Sequence, residues 1–139
     1  RFHHPGDRLI EENLGLSLWR AKNVERAAEV FSQLRAAGGT AAQRAEYYLG
    51  QISFEKGETA AALTSLLKSL PAEGQKEEVG LPPEEVQAAL GAAYQKLGMG
   101  PEAKEAWQRV LKLAPGDAKA TAALKELNRR FPIKKSAKK

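Results

Sequence analysis

Leu-Gly recurs at Leu14-Gly15, Leu49-Gly50 and Leu90-Gly91, and each copy carries other residues at fixed distances behind it. Twelve residues after each Gly stands Ala27, Ala62 or Ala103, and sixteen after stands a large apolar residue, Phe31, Leu66 or Trp107. Twenty-four after come the chain breakers Gly39, Gly74 and Pro115, and three after come Leu18, Ser53 and Tyr94, where the middle copy departs from the pattern. The glycines are 35 and then 41 residues apart, which fits a unit of about 34 residues with small additions. A Gly inside a helix costs about 1 kcal/mol relative to Ala. A repeated Leu-Gly therefore predicts a second helix crossing closely at that point, with the later Ala on the crossing helix. Each unit reads as a helix-turn-helix.

Helix punctuation falls between these marks. Thr40 with Gln43 predicts a capping box before a helix over 41–56, and Asn23 predicts a cap for a helix over 24–37. Pro83 and Pro101 suit first helical turns, and Asp117 predicts the cap of a last helix over 118–131. A stack of such units needs a terminal element with a polar outer face. Lys119, Lys125, Glu126, Arg129 and Arg130 supply it, while Ala122, Leu124 and Leu127 are expected to face inward. The surplus between copies two and three lies in residues 71–83, rich in Gly, Pro and charge, and reads as a surface loop.

With three copies in register, the chain resembles the tetratricopeptide repeat family over roughly residues 8–117. Leu90, Gly91, Tyr94, Gly98, Ala103, Trp107 and Pro115 of the third copy stand where that family has them. Its early Trp is absent, with Glu11, Glu46 and Gln87 four residues before the glycines. The resemblance implies an all-α, right-handed α-solenoid of about seven helices. The expected organisation is a flexible segment over 1–7, then a repeat domain over 8–131. Its repeats fall at about 8–41, 43–76 and 84–117, and its capping helix at 118–131. A basic tail over 132–139 follows.

Charge is divided along the chain. Residues 118–139 carry eight Lys or Arg and one acidic group, leaving fourteen basic and sixteen acidic groups in residues 1–117. The expected picture is a near-neutral body with a basic tail. Weak contact of that tail with an anionic surface is the most that follows, because no aromatic residues interleave the charge for base stacking. No specific nucleic-acid binding is expected. The first residue is Arg1 rather than Met, as expected of a fragment or a processed product, and the sequence leaves the compartment open.

Catalytic constellations are not legible. There is no Cys, and the two histidines, His3 and His4, are adjacent and lie at the edge of the chain. No Ser-His-Asp arrangement or metal-ligand spacing follows from them. Gly98-Met99-Gly100 lacks the remainder of a dinucleotide fingerprint and reads as a turn between helices. Neither an enzyme nor a cofactor is expected.

What the repeats do suggest is a binding face. On the first helix of each unit, positions −6, −3, +1 and +4 from the Gly form one stripe about 130° from it. In tetratricopeptide proteins that stripe lines the concave groove. Here it reads Leu9, Glu12, Leu16 and Trp19, then Arg44, Tyr47, Gln51 and Phe54, then Glu85, Ala88, Ala92 and Gln95. Leu9, Leu16, Trp19, Tyr47 and Phe54 make an apolar strip on two adjacent helices, with Arg20 and Arg44 beside it to hold a carboxylate or a backbone carbonyl. The same side chains serve equally well as packing between repeats. The resemblance implies an adaptor that takes a peptide or helix of a partner protein in this groove. The alternative is self-association into a homo-oligomer through the strip and the open first helix. Co-chaperones of the family hold acidic C-termini with Lys and Asn in one repeat and Lys and Arg two repeats on. Here Glu12, Leu16, Glu85 and Ala89 occupy those positions, which argues against a carboxylate clamp.

Overall fold

The computed structural model describes residues 5–132. Seven helices occupy the described residues, with no strand: α1 Pro5–Arg20, α2 Val24–Ala37, α3 Gly39–Glu55, α4 Thr59–Lys68, α5 Pro83–Lys96, α6 Gly100–Leu113 and α7 Ala118–Arg130. Contacts divide the chain into two compact units, Arg1–Leu81 and Pro82–Lys139. In the first, α1 pairs with α2, α2 with α3 and α3 with α4; in the second, α5 pairs with α6 and α6 with α7.

Each Leu-Gly lies where a second helix crosses, for the steric reason anticipated. A Cβ on Gly15 would come within 2.5 Å of the Phe31 ring, and one on Gly91 within 2.7 Å of the Trp107 indole. On Gly50 it would meet Leu66 at 2.9 Å and the Ala62 carbonyl oxygen at 3.2 Å. Ala27, Ala62 and Ala103 are completely buried. The residue sixteen after the Gly is thus the side chain seated on it. The core of the first unit gathers Ala27, Phe31, Leu34, Ala41, Ala45, Leu49 and Ile52. That of the second gathers Ala103, Trp107, Val110, Ala120 and Leu127.

The turn inside each hairpin is one structure used three times. Asn23, Glu58 and Met99 donate their backbone N–H to Leu18, Ser53 and Tyr94 carbonyls at 2.8–2.9 Å, closing the end of the preceding helix. The residue before each has positive φ: Gly57 at 86°, Gly98 at 76° and, in the first copy, Lys22 at 69°. Lys22 thus adopts a conformation that costs a side chain about 1–2 kcal/mol. Asn23 does precede α2, but its side chain makes no capping bond, and neither do those of Glu58 and Met99 in the same backbone conformation.

Several expectations need correction. The Thr40–Gln43 capping box does not form: α3 begins at Gly39 with no side-chain cap, and the Gln43 amide reaches the Leu70 carbonyl instead. Pro5, Gly6 and Asp7, expected to be flexible, are the first turn of α1. Residues 1–4, with His3 and His4, lie outside the described residues, as do residues 133–139 of the expected tail. Ala122 is exposed, and Ala120 joins Leu127 in facing inward. Pro83 and Pro101 do open α5 and α6, and Asp117 accepts the Ala120 N–H at 2.8 Å as the cap of α7. Just beyond α7, Phe131 covers Gly100, and its carbonyl accepts from the Lys104 ammonium, a tether the sequence did not reveal.

Candidate functional site: the strip on α1 and α3

α1 and α3 touch, and the stripe residues of the first two repeats lie on them within the first unit. Helical spacing places Arg44, Tyr47, Gln51 and Phe54 along one side of α3, and Leu9, Glu12, Leu16 and Trp19 along one side of α1. The structure puts these residues to unequal uses.

Glu12, expected to line an open groove, is 5% exposed. Its carboxylate is clasped by Arg44 in a fork, Nε to Oε2 at 2.8 Å and Nη2 to Oε1 at 2.9 Å, while the Tyr48 hydroxyl donates to Oε2 at 2.9 Å. Such two-point pairing, held by a third donor, is the geometry in which a buried charge is satisfied. The hydrogen bond to Glu12 raises the Arg44 pKa above its ordinary value, against a smaller lowering by burial. Burial, with the charge of Glu12, pushes the Tyr48 hydroxyl well above the usual tyrosine range, so it stays a protonated donor. The remaining guanidinium nitrogen, Arg44 Nη1, donates to the Val79 carbonyl at 2.8 Å.

Tyr47 is buried, its hydroxyl accepting from Gln51 Nε2 at 3.0 Å and its ring edge-on to Tyr48 at 5.9 Å. Trp19 is half-buried: its ring packs edge-on to Phe31 and Tyr48, each at 6.3 Å, and its Nε1 donates to Glu55 at 3.5 Å. Leu16 and Phe54 are also half-buried, Leu16 against the first unit's core. Leu9 is 58% exposed and Arg20 is exposed. The strip therefore serves both purposes: Glu12 and Arg44 tie α1 to α3 and to the loop after α4, and Tyr47 is buried on α3, while Leu9, Leu16, Trp19, Arg20 and Phe54 keep accessible surface. In the second unit, Ala88 and Ala92 pack against the core and Gln95 accepts from Trp107 Nε1 at 3.3 Å.

The loop after α4 was expected to be simple surface. Val79 is nevertheless 7% exposed, and Gln75 exchanges two amide hydrogen bonds with Gln43, both at 2.9 Å. Sequence reasoning missed Tyr48, Val79 and Gln75. Tyr48 stands one residue off the stripe, and the other two carry no periodic signal. Among the described residues, no group of three acidic or histidine side chains is placed to hold a metal ion, and no helix is long and apolar enough to cross a membrane.

Helical hairpins with a Gly at each crossing and a left-handed residue at each turn define a helical-repeat protein. Two models described as tetratricopeptide repeat match residues 12–78 and 89–117, and the chain belongs to the tetratricopeptide repeat family. A comparison with curated proteins gives no match. Among solved structures, it is similar to the first tetratricopeptide domain of Spaghetti (RPAP3) bound to the HSP90 peptide SRMEEVD. The TM-score is 0.74 at 17% identity, with 94% of this chain and 97% of that one covered. The second such domain of human RPAP3, in complex with the HSP70 peptide SGPTIEEVD, gives 0.72 at 22%, covering 90% and 98%. Cut9–Hcn1, from the APC/C, gives 0.75 at 23%, covering 91% of this chain and 24% of that one. At these identities the likeness is one of fold.

Proposed function

We propose that the chain is a protein-interaction module, not an enzyme, that takes an extended or helical segment of a partner protein on the α1–α3 strip. The observation that carries this reading is the half-buried trio Leu16, Trp19 and Phe54, large apolar side chains held by the fold yet still open to solvent. Semi-exposed aromatic anchors of this kind dominate binding energy at protein interfaces. The RPAP3 domains to which the fold is similar were solved with peptides ending in Glu-Glu-Val-Asp. An acidic C-terminus is not the partner proposed here, because the Arg44 charge is already matched by Glu12. Recognition instead rests on apolar anchoring.

The test is capture of a partner from the source cells, followed by titration with variants. Phe54→Ala should weaken binding by about 2 kcal/mol and Trp19→Ala by a similar amount, with helicity retained and little dependence on salt. Glu29→Ala, on an exposed part of α2, should be silent. Equal affinity of all three would remove the strip from the mechanism.

A second reading, self-association, has its own observation. Ile10 and Leu14 on α1 are 67% and 45% exposed, whereas Ala45 and Leu49 at the same register on α3 are buried in the first unit's core. Sedimentation separates the two: a dimer that Leu14→Glu dissolves places this edge in an assembly surface.

A further inference from the structure

The loop between α4 and α5 makes more specific contacts with the start of α3 than a passive connection needs. Its Gln75 amide is a hub. Besides the paired bonds to Gln43, it accepts from the Ala72 N–H at 3.0 Å and donates to the Glu77 carbonyl at 2.9 Å. Four residues on, the Val79 carbonyl receives Arg44 Nη1 and the Val79 side chain is buried. Gly80 then turns the chain away at φ 88°, with Arg44 Nη1 only 3.4 Å from where a Cβ would stand. Arg44 is the first of the four stripe residues on α3.

We propose that residues 75–80 are a displaceable strap, which occupies the Arg44 end of the strip in cis as a stand-in for a partner's extended backbone. The inference rests on the groove reading above and adds the chemistry of the ligand. Two sides of the guanidinium are spent on the buried Glu12, so the pair is neutral and a single donor, Nη1, faces the strap. A carboxylate brought there would stand beside a buried carboxylate in poor solvent, whereas a neutral carbonyl meets no repulsion. The ligand that replaces the strap is therefore an internal peptide segment that offers a main-chain carbonyl to Arg44 and a branched aliphatic side chain in the position of Val79. Because the strap is tethered, it competes at high effective concentration, and the site is held shut until a partner with further anchors on Trp19 and Phe54 arrives.

The experiment uses the full chain and two synthetic probes: a peptide of residues 75–82 with both ends blocked, and one of residues 75–79 ending in a free carboxylate. The double variant Gln75→Ala/Val79→Gly releases the strap and leaves the Glu12–Arg44 pair intact, and circular dichroism checks that helicity is unchanged. Val79→Gly alone serves if the double variant loses helix. Calorimetric titration should show the released variant binding the blocked peptide about tenfold or more tighter than the wild type, and preferring it to the carboxylate form. Equal affinity for wild type and variant, or no binding to either at millimolar peptide, overturns the strap. Preference for the carboxylate form overturns the carbonyl selectivity. Partner capture that survives Phe54→Ala would overturn the groove reading whatever the peptides do. Loss of capture in Phe54→Ala alongside a failed peptide titration would remove the strap alone.

Discussion

Glu46 stands where the family's early Trp would be, and it is buried on α3. One of its carboxylate oxygens has no hydrogen bond, and its ion pair with Arg35, an exposed side chain, spans 3.9 Å. Glu12, equally buried, shows the contrast, with three short bonds to its oxygens from Arg44 and Tyr48. A buried carboxylate so weakly compensated costs more in lost hydration than it recovers. Glu46→Leu should therefore stabilise the chain by about 1 kcal/mol or more, read as a raised midpoint in chemical denaturation. A fall in the midpoint would show that the distant Arg35 holds the carboxylate better than its geometry indicates. Glu12→Leu should do the reverse, since it strands Arg44.

At the scale of elements, stability concentrates where the paired helices cross. Gly50 allows Leu66 and the Ala62 backbone to approach α3 more closely than any side chain would permit. Ala62 is itself completely buried on α4. Ala62→Glu should destabilise by about 3 kcal/mol or more, from overpacking together with an unpaired buried charge. A thermal melt shifted by under about 1 kcal/mol would show that the crossing relaxes around the new side chain. The strap obeys a different logic. It is held by a few directed polar bonds and one buried aliphatic side chain, so it can leave without taking α3 with it.

For the whole molecule, the division at Leu81 matters more than the number of repeats. Each unit has its own core and its own tryptophan, Trp19 in the first and Trp107 in the second. Repeat proteins lose stability in neighbouring blocks rather than all at once when one interface is weakened. In a Trp107→Phe background the remaining fluorescence follows the first unit, and in a Trp19→Phe background it follows the second. Adding Ala62→Glu should lower the denaturation midpoint reported by Trp19 and leave that reported by Trp107 nearly unchanged. Coincident shifts would show that the two units unfold together.

The helical hairpins, their crossing points and the family are legible in residue spacing alone. A Gly under a crossing helix, a breaker between units and an aspartate cap act within a turn or between neighbouring helices, so their spacing survives in the chain. The three hairpin turns were less legible, because backbone geometry does the capping there and Asn23, Glu58 and Met99 share nothing chemically. Which stripe residues face solvent depends on packing between residues far apart in the chain. Glu12 and Arg44 are 32 residues apart, and so are Gln43 and Gln75. No periodicity encodes such pairs, because each depends on how the hairpins and the long loop pack against one another. Leu14 makes the same point from the other side. It carries the same motif as the buried Leu49, yet it is exposed, because α3 is packed by α2 of the preceding hairpin as well as by its own partner α4, whereas α1 belongs to the first hairpin and among the described residues has no such preceding helix on its Leu14 side.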